Sequence, residues 1–146
     1  MNYLRFAIIC LLFLDCSLAW SENRHVGGDK RNSLLAVVQH LMSESKQALK
    51  QGDLDLANST LERAIRIDRK NPWLWHNLAI LRVRQKMYAK AIQLALKAND
   101  ESSQYSQAKV QKLQLNNWKL IHFCHLELGE SKKAKKAMKF IQKLSL

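Results

Sequence analysis

An all-α solenoid of about three helix-turn-helix repeats is the fold class the sequence predicts, from three observations. Ala57 with Ala91 and Ala64 with Ala98 recur at 34 residues, and Leu41 with Trp75, Ser45 with Ala79, Leu54 with Tyr88 and Leu61 with Ala95 keep the same offset. A third copy follows at 43 residues, from Trp75 to Trp118, Leu78 to Ile121 and Ala91 to Ala134, so nine residues are inserted; Gly52 to Gly129, at 77, agrees. Beyond Ser33 apolar residues fall at helical spacing, interrupted by one proline, Pro72.

The first residues stand outside this pattern. Met1 to Arg5 is a basic n-region, Phe6 to Leu14 an unbroken apolar run, and Ser17-Leu18-Ala19 places small residues where a signal peptidase reads them. That is the layout of a secretory signal peptide over residues 1–19, cleaved after Ala19. The run is shorter than the ~20 residues of a spanning helix. The expected location is periplasmic or envelope-associated, with anchoring by an uncleaved signal as the alternative. Cys16 follows Phe13-Leu14-Asp15, not the small residues that precede an acylated cysteine, so cleavage is preferred to lipidation. Residues 20–32 (WSENRHVGGDKRN) have too few apolar groups to offset ordering by burial and read as a flexible tether before a domain over 33–146.

Within that domain the repeats span about 38–71, 72–105 and 115–146, with the insertion at 106–114. The first helix runs about Leu34 to Gln51 from an N-cap at Asn32 or Ser33, with Leu34, Val37, Val38, Leu41 and Ala48 on its apolar stripe. Gly52 closes it and Asp53 caps the second helix, about Leu54 to Asp68. Asn71 and Pro72 open the second repeat, with helices at about Trp73–Gln85 and Met87–Lys97; Lys86 stands where the other repeats carry glycine. Asn99 to Ser103 reads as a break rich in capping residues. No proline or glycine then occurs until Gly129, so the insertion lengthens the next helix at its N-terminal side by roughly 13 Å. The last helix, about Glu130 to Leu144, turns Ala134, Ala137, Met138 and Ile141 inward and lysines outward.

The residues Trp75, Leu78, Ala79, Tyr88, Ala91, Ala95 and Ala98, with Leu41, Gly52, Leu54, Ala57, Leu61 and Ala64 before them, resemble tetratricopeptide repeats. With the signal peptide, the resemblance is to small members of the bacterial cell envelope. It implies a superhelix whose concave wall is made by the first helix of each repeat and holds a peptide or helix of a partner protein. Carried onto this chain, that wall holds Gln39, Met42 and Lys46, then Trp73, His76, Asn77, Ile80 and Arg84, then Asn116, Lys119 and Phe123. Such a mixed apolar, amide and basic groove suits a segment of acidic character. Members that clamp acidic chaperone C-termini use a particular set of lysines, asparagines and an arginine; at those positions this chain has Met42, Lys46, Asn77, Asn116 and Leu120, and only Asn77 matches.

Charge offers an alternative. The formal net charge is +12, of which residues 106–146 carry +7. Lys132, Lys133, Lys136, Lys139 and Lys143 form a basic face that could adhere to an anionic polymer or membrane surface. Nucleic acid is the weaker reading, because the aromatics are buried by register rather than interleaved with lysines. His122, Cys124 and His125 are the one cluster resembling metal ligands; Cys124 points away from the two histidines and no fourth ligand is near, so no metal site or other cofactor is expected. Cys124, the single thiol left after cleavage, reads as a small buried hydrophobe. With no nucleophile elbow, phosphate-cradling loop or two-histidine zinc helix, a non-enzymatic role is expected.

Phe140, Leu144 and Leu146 form an apolar flank with no capping helix after it. Either the elongated helix folds back over it or a second copy or partner covers it. The signal-peptide reading is checked by intact mass: the protein from its own host should begin at Trp20, whereas a retained Met1 or a lipid on Cys16 would reject it.

Overall fold

The computed structural model describes residues 29–145; the expected signal peptide, residues 20–28 of the expected tether and Leu146 lie outside the described residues. The chain divides into two compact units, Met1–Val37 and Val38–Leu146. In the first, residues 29–37 are helical and exposed. Helix therefore replaces tether over residues 29–32, because nothing from Asp29 to Asn32 breaks a helix. Leu34 and Val37 are also exposed rather than buried, at 46% and 45%. Periodicity identifies an apolar stripe but not how much of its length is covered.

Six helices are described: α1 over residues 29–51, α2 Leu54–Ile67, α3 Pro72–Arg84, α4 Tyr88–Ser102, α5 Gln107–Glu127 and α6 Ser131–Leu144. Asp53 caps α2 through its carboxylate, which accepts the Leu56 N–H at 2.9 Å. Asn71 caps α3, its side-chain oxygen accepting from the Trp73 N–H at 3.2 Å, and Pro72 follows at the first helical position. Successive helices pack in order, α2 on α3, α3 on α4, α4 on α5 and α5 on α6, and α3 also meets α5.

The core lies in two groups. Val38, Leu41 and Ala48 of α1 pack with Ala57, Leu61 and Ala64 of α2 and Leu74, Leu78 and Leu81 of α3. Ala79, Ala95, Ile121 and Ala137 join α3 to α6 through the middle of the stack, with Trp118 and Ile92 against them. The alanines of the repeat register, Ala57, Ala64, Ala91, Ala95 and Ala98, have no exposed surface, and each marks a place where two helix backbones come close. α3, covered by three neighbours, buries residues around most of its circumference and accordingly lacks a polar face.

Two segments depart from the sequence reading. α4 continues to Ser102 instead of ending near Lys97, because the polar side chains expected to break it find tertiary partners. Asn99 accepts from Asn117 at 2.8 Å, and the Ser102 hydroxyl accepts from Gln114 at 2.8 Å. In α6, Ala134 and Ala137 are buried, but Met138 is 37% exposed and Ile141 only half-buried, since α6 has α5 as its one close helical neighbour. α5 has 21 residues against 13 in α3, and its extra turns run back along the end of α6, where Gln111 donates to the Leu144 carbonyl at 3.1 Å. Phe140 stacks on Trp118 with centroids 4.0 Å apart and stays 47% exposed.

All three hairpins close the same way. Asp53 N–H bonds to Ala48 O at 3.0 Å, Met87 N–H to Arg82 O at 2.8 Å and Glu130 N–H to His125 O at 2.8 Å, a Schellman closure each time. It places Gly52 at φ +81° and Gly129 at φ +72°, and forces Lys86 to φ +58°. A left-handed conformation costs a residue with a Cβ roughly 1–2 kcal/mol. Lys86→Gly should therefore raise unfolding stability by about 1 kcal/mol, while Gly129→Ala should lower it by about as much. A Cβ at Gly129 would meet nothing within 4 Å, so the effect is purely conformational. Urea midpoints at constant m-value measure both, and a destabilised Lys86→Gly would refute the account.

Candidate functional site

The first helices of the repeats, α1, α3 and α5, each give about two turns to one open groove of ≈ 520 Å³. α1 contributes Met42, Lys46, Leu49 and Lys50; α3 contributes Trp73, His76, Asn77 and Ile80; α5 contributes Lys109, Lys112, Leu113 and Asn116. Met42, Leu49, Trp73, Ile80 and Leu113 make the apolar part, and four lysines from α1 and α5 are its only charged side chains. Trp73 is held edge-on by Tyr105, ring centroids 5.2 Å apart at 84°.

A polar chain supports one wall. His76 Nδ1 lies 2.6 Å from Asn117 Oδ1, and Asn117 Nδ2 donates to Asn99 Oδ1. Because the Asn117 amide nitrogen is engaged, its oxygen accepts, and His76 carries its hydrogen on Nδ1. Neutral His76 thus keeps Nε2 as an acceptor. Burial pushes the His76 pKa below its ordinary value; the Asn117 hydrogen bond opposes this, and the Lys46 cation adds to it. Neighbouring Asn77 is 5% exposed, lines the groove, and its Nδ2 has no hydrogen-bond partner among the described residues.

Of the residues expected on the wall, Met42, Lys46, Trp73, His76, Asn77, Ile80 and Asn116 come together here. Gln39, Arg84, Lys119 and Phe123 do not line the groove. They lie a turn or more along their helices from the turns that do: Gln39 three residues before Met42, Arg84 four after Ile80, and Lys119 and Phe123 three and seven after Asn116. Phe123 instead meets Tyr88 edge-on at 6.1 Å. Sequence reasoning missed Leu49, Lys50, Lys109, Lys112 and Leu113. The last three sit in or beside the nine-residue insertion, whose length was legible but whose face was not.

The residues once grouped as metal-like are separately engaged. His122 Nδ1 donates to the Ala134 carbonyl at 2.9 Å, bridging α5 to α6, and His125 Nδ1 pairs with Glu130 at 2.7 Å. Cys124 is buried, and burial first, then Glu127, raises its pKa to about 11, so its thiol stays protonated near neutral pH. The outward lysines of α6 are all exposed.

Residues 48–114 match the family model described as tetratricopeptide repeat. No curated protein matches the sequence. Among solved structures, the globular C-terminal domain of LpoP from P. aeruginosa is 29% identical, with a TM-score of 0.65, over 75% of this chain and 95% of that domain. The N-terminal domain of stress-induced protein-1 (STI-1) from C. elegans, 16% identical, shares the fold with a TM-score of 0.62 over 77% of this chain and 98% of that one. Domains of this kind generally serve as protein–protein interaction modules. With its helix pairs, alanine register and family match in agreement, residues 48–114 are tetratricopeptide repeats.

Proposed function

We propose that the groove between α1, α3 and α5 binds a peptide or helix of a partner protein, acidic in character, and that the chain acts as a non-enzymatic adaptor of the bacterial cell envelope. The observation that carries this is Asn77, which lines the groove and whose buried Nδ2 has no partner among the described residues. Leaving such a donor unsatisfied costs about 1–3 kcal/mol, which a ligand carbonyl or carboxylate would recover. Lys46, Lys50, Lys109 and Lys112 supply a field for acidic side chains, and the apolar strip from Trp73 to Ile80 gives area for hydrophobic ones. Support for the envelope is the expected signal peptide and the likeness to the P. aeruginosa domain.

The test is capture of partners from an envelope extract by the immobilised protein, followed by titration of the captured partner. Asn77→Ala should weaken binding about tenfold, the worth of one buried hydrogen bond to a charged group. The same variant should stay folded, because removal of an unsatisfied donor offsets the packing lost with the buried side chain. Arg84→Ala, a turn beyond the groove, should change capture by less than twofold. Equal losses for the two variants, or unfolding of Asn77→Ala, would remove the groove from the account.

A further inference from the structure

The lysine face of α6 is separate from the groove and sets like charges side by side. Its first turn holds Lys132 and Lys133 and no acidic residue, as the first turns of α3, α4 and α5 also lack one, so the N-cap Glu130 is the one acid at the positive end of its helix dipole. α2 has Asp55 in its first turn and Arg66 in its last. Further along α6, Lys132 and Lys136, Lys135 and Lys139, and Lys139 and Lys143 are like-charge neighbours four residues apart, which destabilises a helix. Among the described residues only Lys133 of the six α6 lysines pairs with a carboxylate, that of Glu130 at 2.7 Å. The other five are left without a carboxylate partner among the described residues, a surface open to compensation from outside.

At 100° per residue, Lys132, Lys135, Lys136, Lys139 and Lys143 share an arc of about 100° and a length of roughly 16 Å. On one edge of that arc opens a hollow of ≈ 190 Å³, lined by Ile92, Leu96, Trp118 and Phe140, with Lys133 and Lys136 beside them. Leu96 is 40% and Phe140 47% exposed, and Met138 stands exposed at the opposite edge.

We propose that this face docks on the headgroups of an anionic phospholipid bilayer, the lysines against lipid phosphates and the hollow beside Phe140 receiving hydrocarbon. Phosphate and alkyl chain occur together in such a lipid, whereas a nucleic acid offers phosphate without the chain. Among the described residues no helix is long and apolar enough to cross a membrane, and the proposed contact of α6 is with the membrane surface. Lysines close to an anionic surface each add attraction that salt removes.

The experiment is co-sedimentation of the protein beginning at Trp20, without the apolar run Phe6–Leu14, with vesicles of phosphatidylcholine alone or with a third phosphatidylglycerol. Binding should require phosphatidylglycerol and disappear in 0.5 M sodium chloride. A variant combining Lys132→Gln, Lys136→Gln, Lys139→Gln and Lys143→Gln should bind at least a hundredfold more weakly yet melt no lower than wild type, since it relieves like-charge repulsion. Phe140→Gln, or Met138→Gln if loss of the Trp118 stack lowers the melting point, should weaken binding severalfold. Asn77→Ala should leave lipid binding unchanged, which separates this surface from the groove. Equal binding to neutral vesicles, or by the four-lysine variant, would overturn the proposal. So would lysine-dependent binding of duplex DNA or polyglutamate as tight as that to vesicles and indifferent to both apolar substitutions.

Discussion

Close approach of helices at small side chains is the constraint from which the rest of this structure follows. Ala57, Ala64, Ala91, Ala95 and Ala98 are fully buried where backbones meet, and the same role passes to Ala134 and Ala137 in the last hairpin. A larger residue at such a position overpacks, at a cost typically of ~1–3 kcal/mol, or pushes the helices apart. Separation would not stay local. α3 is packed by α2, α4 and α5 at once, so any displacement of its neighbours shifts Trp73, His76 and Asn77 relative to α1 and α5.

Buried polarity adds direction to that packing. Asn117 is fully buried and links His76 on α3 to Asn99 on α4, while Gln114 and Ser102 tie the next turn of α5 to the end of α4. Apolar contacts tolerate small rotations; a chain of hydrogen bonds fixes one register. Its effect is visible at two ends. α4 gains the turn ending at Ser102, and the His76 ring is held in one tautomer beside the unpartnered Asn77 amide.

Positive charge is divided between two surfaces of different shape. In the groove, lysines from α1 and α5 flank an apolar strip, a concave arrangement suited to a segment lying along it. On α6 they cover the outer face of a single straight helix, with Glu130 the one carboxylate within reach, its pKa lowered first by Lys133 and then by His125. The first arrangement underlies the proposed recognition of a partner segment by shape together with charge. The second, lacking walls, underlies the proposed docking on an extended anionic surface.

The sequence by itself determined the helix pairs, because the 34-residue alanine register, Asp53, Asn71, Pro72 and the glycines act through local geometry: close packing, capping and left-handed turns. It also placed Lys46, His76 and Asn77 on one wall, since helices repeating in register turn the same face to the same side. Only the tertiary structure decided how far each face is used. Arg84 and Phe123 share the wall's periodicity but fall beyond the groove, whereas Lys109 and Lys112 enter it through the insertion. Asn99 and Ser102 carry the propensity of a helix break and sit in a helix, because partners on α5 engage the Asn99 Oδ1 and the Ser102 hydroxyl that would otherwise compete with the backbone. A one-dimensional pattern records the angle at which a side chain leaves its helix; its depth along the axis, and whether a polar group finds a partner, depend on where the neighbouring helices end.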